Sequence, residues 1–362
     1  MKISILSGKL SGGGAERVAC VLANKLSEST SVSIYRGDSS ERTSFHISES
    51  INLSDLYFNY NTNGFFDNTV EFLKRLKVVR DKINVDKSDF VLGIKEDSSI
   101  RAALACIGTN SRVIACEHNN YYAMKNIFKR LFRNFVYYFL THRIVLLTDD
   151  DIKNYPRYLI NKISVIPNPL GINGYGISRS ERKCYVRLLA VGRLTEQKGY
   201  YRMIDLISDL ISSHIESFHL TIVGDGALRS DIEKYISEKQ LTNYITIFPY
   251  TNDISTFYCE SDILVMTSLW EGLPMVLGEA MSFGVVPIAY DCPTGPSVFI
   301  NNEFNGFLVP DSDNKKFLQH LIELIEMVNN ERFESFSLNA RESSQRFSVE
   351  NIINKWNEIL LN

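Results

Sequence analysis

Short apolar runs rich in β-branched residues alternate along this chain with longer stretches in which apolar positions recur every three or four residues. The first pattern fits strands buried on both faces and the second fits amphipathic helices. Their alternation predicts α/β domains built on parallel sheets. In the first half, strands are expected at Lys2–Ser7, Ser31–Tyr35, Phe90–Gly93, Val113–Cys116, Arg143–Leu147 and Ile163–Pro167, with helices over Ala15–Ser27, Val70–Ile83 and Ser99–Ile107. In the second half the strands are Val186–Val191, His219–Val223, Ile245–Phe248, Ile263–Met266 and Val285–Ala289. Helices are expected there at Gly199–Ile215, Ala227–Lys239 and Val276–Phe283.

Between the halves, Pro167-Asn168-Pro169 and then Gly171, Gly174 and Gly176 read as an interdomain linker. The expected division is a Rossmann-like domain over 1–168, a second over 169–343, and an amphipathic tail over 344–362 that contains Trp356. Two doubly wound domains joined in this way are expected to face a central cleft at the carboxyl ends of their strands. A length of 362 residues is enough for two cores of this kind.

Composition adds three constraints. Six cysteines are scattered without a Cys-x-x-Cys pair, which fits reduced thiols in a cytoplasmic protein. No apolar run approaches the roughly 20 residues that span a bilayer, and the first residues read as a strand rather than a signal peptide. The net charge of −3 conceals an asymmetry: residues 1–170 hold 23 Lys and Arg against 17 Asp and Glu, and the remainder holds 16 against 25. The two halves are therefore expected to meet different partners. Nothing in the pattern calls for nucleic acid.

The densest chemistry lies in Glu271-Gly272-Leu273-Pro274-Met275-Val276-Leu277-Gly278-Glu279. A buried strand leads into this Gly/Pro turn and a helix follows it, so free backbone N–H groups point at whatever sits above the sheet. That arrangement suits an anion. Two carboxylates eight positions apart flank the turn. A second turn, Gly192-Arg193-Leu194-Thr195-Glu196-Gln197-Lys198-Gly199, follows an apolar strand. Arg193 offers a planar fork and Lys198 a mobile point charge, a suitable pair of clamps for a diphosphate. Both segments also admit a plain structural reading, as a buried turn and as a solvated loop.

Weaker signals accompany them. Ser11-Gly12-Gly13-Gly14 follows the first strand; it matches neither the P-loop nor a dinucleotide fingerprint, and a tight turn explains it as well as a ligand does. His118 lies in Glu117-His118-Asn119-Asn120 at a strand's carboxyl end, where α/β domains place functional groups. Gly224, in Val223-Gly224-Asp225-Gly226, marks another strand-to-helix turn, and Tyr250 closes Phe248-Pro249-Tyr250. Asp149-Asp150-Asp151 and Asp311-Ser312-Asp313 carry Asp-x-Asp spacing but precede helices. Capping and compensation of the helix dipole explain them better than a metal.

Together these motifs resemble the retaining glycosyltransferases of the GT4 type, which have the GT-B fold, and in particular the group that builds bacterial surface polysaccharides. The resemblance spans nearly the whole chain, with its specific motifs between residues 192 and 306. It implies a hexose or N-acetylhexosamine moved without a metal or other cofactor from a UDP-sugar to a lipid-linked or oligosaccharide acceptor, in O-antigen, capsule or lipopolysaccharide synthesis. The amino-terminal domain would take the acceptor and the second domain the nucleotide-sugar, with the terminal helix crossing back to the first.

In this resemblance Arg193 and Lys198 grip the diphosphate, Glu271 the sugar hydroxyls and Glu279 the ribose, and His118 reaches the donor sugar. Gly13, Gly14, Gly192, Gly224, Tyr250, Gly272, Leu273, Pro274 and Met275 would line the donor. Asp291-Cys292-Pro293-Thr294-Gly295-Pro296 resembles a segment found in a subset using UDP-activated sugars. Other readings are a non-catalytic glycan-binding protein, or a sugar phosphorylase or nucleotide-sugar epimerase of the same architecture; a phosphorylase would need pyridoxal phosphate.

One stretch belongs to none of these motifs. Residues 121–142 carry Lys125, Lys129, Arg130 and Arg133, many aromatics and no acid. Such a helix either packs inside the first domain or lies in the headgroups of an anionic membrane, on the inner face of the plasma membrane. The second reading predicts binding to anionic vesicles that weakens with salt.

Overall fold

The structure, a computed structural model, describes residues 1–10, 14–37, 43, 45–57, 65–119, 121–177 and 184–361, without the side chains of residues 65–69 and 123. The chain forms two compact units, Met1–Gly171 with Val349–Asn362, and Ile172–Ser348.

In the first unit β1 (Lys2–Ser7) leads through α1 (Gly14–Ser27) to β2 (Ser31–Arg36) and β3 (Asn52–Asp55). Next come α2 (Phe65–Asp86), β4 (Phe90–Ile94), α3 (Lys95–Ala105) and β5 (Arg112–Cys116). The unit continues through α4 (Ile127–Leu140), β6 (Arg143–Leu146), α5 (Asp149–Ile152) and β7 (Ile163–Val165). Among the described residues these strands make one parallel sheet of order β3-β2-β1-β4-β5-β6-β7.

The second unit begins with β8 (Val186–Val191), α6 (Tyr200–Ser212), β9 (Phe218–Val223) and α7 (Arg229–Glu238). It goes on through β10 (Ile245–Phe248), α8 (Ile254–Cys259), β11 (Ile263–Met266) and α9 (Met275–Ser282). The last elements are β12 (Val286–Asp291), α10 (Pro296–Phe299), β13 (Phe307–Pro310), α11 (Asn314–Met327) and α12 (Glu331–Ser344). Its sheet is also parallel, in the order β10-β9-β8-β11-β12-β13. The closing helix α13 (Val349–Leu361) packs with α1 and adds Ile352, Ile353, Trp356 and Leu360 to the first unit's core.

Strand order fixes where chemistry can sit. In the second sheet the chain runs outward from β8 through β9 to β10, then returns to β11 and runs the other way. The carboxyl ends of β8 and β11 therefore part at a topological switch point, as do those of β1 and β4 in the first sheet. At the opposite ends of the second pair, buried Arg187 holds buried Asp262 with a two-pronged contact, Nε to Oδ2 at 3.0 Å and an Nη to Oδ1 at 2.9 Å. That fork aligns β8 with β11.

Several local features differ from the sequence expectations. The edge strands β3 and β13 were not foreseen: Asn52-Leu53-Ser54-Asp55 lacks an apolar run, and Phe307–Pro310 is four residues ending in proline. Helix α3 starts four residues earlier than expected because Lys95 takes a left-handed conformation, φ +67°, and turns the chain straight from β4 into the helix. Thr148, rather than an aspartate, caps α5, its hydroxyl accepting from the Asp151 amide at 3.2 Å. Asp313 does cap α11, accepting from the Lys316 amide at 3.0 Å. The Pro/Gly stretch at the boundary is packed: Asn168 and Pro169 are buried, and the Gly174 amide donates to Ser282 Oγ at 2.9 Å. Cys20, Cys106, Cys116 and Cys292 are buried thiols, whereas Cys184 is exposed.

Candidate functional site

Strand β8 ends in the turn that carries Gly192, Arg193 and Lys198, and the turn after β9 is zipped to it. The Leu194 amide donates to the Asp225 carbonyl at 2.9 Å and the Leu228 amide to the Leu194 carbonyl at 3.1 Å. Contact is so close that a Cβ on Gly224 would stand 1.9 Å from the Gly192 carbonyl oxygen. Gly199 meets a double demand. Its φ is +65°, and a Cβ there would lie 2.1 Å from the Thr267 carbonyl oxygen. Glycine at these two places brings the turn after β8 against the ends of β9 and β11.

Residues 198 and 271 meet across this junction. Lys198 Nζ lies 2.7 Å from Glu271 Oε1, and Ser268 Oγ donates to the same oxygen at 2.5 Å. Glu271 is buried, and the Lys198 side chain is 16% exposed, so the pair is shielded without being sealed. Gln197 adds two bonds to the β11 side: its Nε2 donates to the Trp270 carbonyl at 2.9 Å, and its own carbonyl accepts from Leu269 at 2.8 Å. Arg193 has an exposed side chain with no hydrogen bond or ion pair among the described residues.

The Gly272-Leu273-Pro274 turn then enters α9. Leu273 and Pro274 are buried, Met275 is half-buried, and the Leu277 amide donates to the Pro274 carbonyl at 2.9 Å. Amides of the first helical turn lie beside this junction with the positive end of the helix dipole. The segment after β12 clasps the turn from above. Thr294 donates its hydroxyl to the Glu271 carbonyl, and a Cβ on Gly295, φ +103°, would lie 2.5 Å from Pro274 Cδ. Glu279 is also buried and accepts from the Tyr258 hydroxyl of α8 at 3.2 Å. The two glutamates thus have different partners, Glu271 the lysine and Glu279 the tyrosine. Tyr250, after β10, is exposed and donates to Asn252 Oδ1 at 2.9 Å.

Electrostatically the junction sets Lys198 and the α9 N-terminus beside one carboxylate, on a turn that also carries the exposed Arg193. An anion above β8 and β11 would meet a cation and oriented amides. A neutral polyol would meet the carboxylate of Glu271. Burial, with the Glu271 charge next, pushes the neighbouring Cys292 thiol up to about 12, so it stays protonated at neutral pH. It is therefore no nucleophile.

Other candidate residues belong to the first unit. Gly13 and Asn120 fall outside the described residues. Gly14 opens α1 with open space where a side chain would be. His118 follows β5, and its Nδ1 is shielded from solvent and has no hydrogen-bond partner among the described residues. Burial, with Lys95 next, lowers its pKa from 6.5 to about 4, so the imidazole is neutral. Glu117 turns into the core, where Tyr137 donates to it and an Arg133 Nη lies 3.9 Å away. Burial lifts its pKa to about 7 against the opposing pull of Arg133. At the β1/β4 switch point a cavity of about 360 Å³ is lined by Lys9, Glu16, Lys95, Asp97, Ser98 and Arg101 among others. Lys95 Nζ pairs there with Glu16 Oε1 at 2.5 Å.

Sequence reasoning missed the groups that hold this junction in place. Arg202 of α6 donates its Nε to the Thr267 carbonyl at 2.5 Å, one Nη to the Ser268 carbonyl, and the other to Asp311 at 2.9 Å, with its guanidinium 4.2 Å over the Tyr290 ring. Ser268 and Thr294 fix the two ends of Glu271. An isolated arginine in a helix and a serine carry no spacing signal, so only the fold could reveal them, whereas Thr294 lay within the Asp291–Pro296 motif without a role of its own.

Residues 179–343 match the sequence profile of a family described as glycosyl transferases group 1. The chain is similar to the amylovoran biosynthesis glycosyltransferase AmsD of Erwinia amylovora, 28% identical over 98% of both chains. It is also similar to an alpha-1,4-N-acetyl-D-galactosaminyltransferase of Campylobacter jejuni whose name specifies a diphosphoundecaprenol-linked substrate, 26% identical over 99% of this chain and 98% of that one. Among solved structures, the lipopolysaccharide outer core galactosyltransferase WaaB aligns over 100% of this chain and 99% of its own, with TM-score 0.77 and 19% identity. Anabaena HepE in complex with UDP and glucose aligns over 100% and 99%, with TM-score 0.78 and 16% identity. The fold is GT-B.

Proposed function

We propose that this chain is a metal-independent, retaining transferase that uses a UDP-sugar, a reading that starts from the match of residues 179–343 to the glycosyl transferases group 1 profile. The sugar is a hexose or N-acetylhexosamine, and the acceptor a lipid-linked glycan of a bacterial surface polysaccharide. The observation that carries this reading is the meeting of two motifs 73 positions apart, Lys198 on Glu271 at 2.7 Å, at the switch point of the second sheet. Relatives named for amylovoran synthesis and for a diphosphoundecaprenol-linked substrate support the acceptor class. A similar structure holding UDP and glucose supports the donor class.

In this proposal Arg193 and Lys198, with the first amides of α9, take up the charge of the departing diphosphate. Preorganised cations and dipoles act where charge develops, and they need no rearrangement at the moment of reaction. Glu271 accepts hydrogen bonds from sugar hydroxyls, Glu279 holds the ribose, and His118 hydrogen-bonds the sugar. The acceptor hydroxyl oxygen bonds to the anomeric carbon on the face that the leaving group departs from. The bond from that carbon to the β-phosphate oxygen breaks, and the hydroxyl proton passes to a diphosphate oxygen. Configuration is then retained with no protein carboxylate as nucleophile. The cavity beside Lys95 in the first unit is the proposed acceptor site.

The test is incubation with a panel of UDP-hexoses and UDP-N-acetylhexosamines while slow UDP release is followed, with and without EDTA. One donor should be cleaved well above the others, and the chelator should leave the rate unchanged. Release from none of them would defeat the donor assignment, and an EDTA-sensitive rate would defeat metal independence.

A further inference from the structure

Lys198 and Glu271, proposed above for the diphosphate and the sugar, hold each other at 2.7 Å. Both donors that reach the carboxylate, Lys198 Nζ and Ser268 Oγ, land on Oε1. The other oxygen, Oε2, takes no hydrogen bond among the described residues and is not shut off from solvent. One acceptor oxygen of a buried carboxylate is therefore open to a ligand.

The side chains around the pair have little to add. Tyr200 is near enough that the Glu271 charge, after burial, raises its pKa, yet its hydroxyl donates to the Gly192 carbonyl at 3.0 Å. Thr294 turns its hydroxyl to the backbone carbonyls of Glu271 and Pro293. Gln197 gives its Nε2 to the Trp270 carbonyl, and Arg202 is spread over the Thr267 and Ser268 carbonyls and Asp311. Each of these groups is held on another acceptor. The backbone of Glu271 is fixed as well, its amide donating to the Pro293 carbonyl at 3.4 Å.

A diphosphate bound to Lys198 engages the same ammonium and brings like charge up to Glu271. With the two side chains only 16% and 7% exposed, water screens that repulsion poorly. The sugar of an intact donor carries hydroxyls that can donate to Oε2 and offset it. Free UDP carries none at that place. Building on the transferase reading, we propose that Glu271 makes the site distinguish a nucleotide-sugar from a nucleoside diphosphate. Its charge opposes diphosphate binding, and the sugar hydroxyls reverse the opposition. The intact donor is held; once the sugar has left, the carboxylate loses those donors and UDP is expelled. Glu271 is then a specificity-determining residue that acts on product release as well as on the sugar.

Titration calorimetry of UDP into the full chain, in EDTA, tests this with two variants that should move in opposite directions. Glu271→Gln removes the opposing charge and should bind UDP about tenfold more tightly than wild type. Ser268→Ala leaves the carboxylate leaning on Lys198 alone and should bind UDP several-fold more weakly. General damage to the junction would weaken both. In turnover with the UDP-sugar that the donor panel selects, the ratio of the UDP inhibition constant to the donor KM should fall about tenfold in Glu271→Gln. A Glu271→Gln protein that binds UDP no more tightly than wild type, or an unchanged ratio, would overturn the inference while leaving UDP binding and the transferase reading standing. Should Glu271→Gln fail to fold, Ser268→Ala decides alone, and a UDP affinity equal to or above that of wild type would overturn it. Wild type that binds no UDP would defeat the transferase reading, and this inference with it.

Discussion

Removing the charge of Lys198 should damage two things at once, and the structure separates them. At 2.7 Å and an effective dielectric of about 20, the attraction to Glu271 is roughly 6 kcal/mol before desolvation. Most of that is cancelled by the cost of shielding both charges. Exposed pairs contribute about 0–1 kcal/mol, and breaking a sealed pair costs about 3–5. With side chains 16% and 7% exposed, Lys198→Ala should cost between these, about 1–3 kcal/mol of stability. The catalytic loss is a separate quantity. One preorganised contact to developing charge is worth about 2–4 kcal/mol, so kcat/KM should fall about 30- to 1000-fold in protein that is still fully folded.

A double-mutant cycle with Glu271→Gln resolves the two effects. The glutamine retains an oxygen for Ser268 and loses only the charge. Urea denaturation should give a coupling of about 1 kcal/mol or more between the positions. UDP release from the preferred donor, measured well below the melting temperature, should show Lys198→Ala impaired far beyond its unfolded fraction. Near-normal turnover by folded Lys198→Ala would refute the reasoning and leave the pair a structural contact.

Three further outcomes follow from the same geometry. Gly224→Ala places a methyl 1.9 Å from the Gly192 carbonyl oxygen, so overpacking of about 1–3 kcal/mol should appear in denaturation, with UDP affinity lost as the two turns separate; unchanged affinity would free Gly224 from the site. Arg202→Met unties the Thr267 and Ser268 carbonyls and Asp311, and should raise KM for the donor while destabilising the protein by about 2 kcal/mol, read from paired kinetic and urea measurements. His118 has its pKa lowered from 6.5 to about 4, so between those values the unfolded chain binds a proton that the folded chain refuses. Wild type should therefore lose stability relative to His118→Gln as pH falls from 6.5 toward 4 and show no such difference above 6.5; parallel melting curves across that window would contradict the burial of Nδ1.

How much of this could be read from the chain follows from where the information is stored. Central strands such as Val186–Val191 and Ile263–Met266 are buried on both faces, so their apolar runs give the observed bounds directly. Of the four edge strands, β7 and β10 keep enough apolar residues to be read, whereas Asn52–Asp55 has only Leu53 and Phe307–Pro310 is short and ends in proline, which is why β3 and β13 left no trace. Lys198 and Glu271 were visible as motifs, but their contact depends on Gly199 and Gly224, whose close approaches exist only once β8, β9 and β11 are side by side. The aromatic and basic character of residues 121–142 was evident; which face it presents was not. Placing Arg133 inward required Tyr121, Tyr137 and Tyr155, two of which lie outside α4.

The central claim is that the second unit binds a nucleoside diphosphate through the turn after β8. Titration calorimetry of UDP into the full chain in the presence of EDTA tests it most directly. Wild type should bind UDP with one site per chain, and Arg193→Ala, which removes an exposed side chain without partners among the described residues, should fold normally and bind at least about tenfold more weakly. No measurable heat of UDP binding, or an Arg193→Ala titration that overlays wild type, would contradict it.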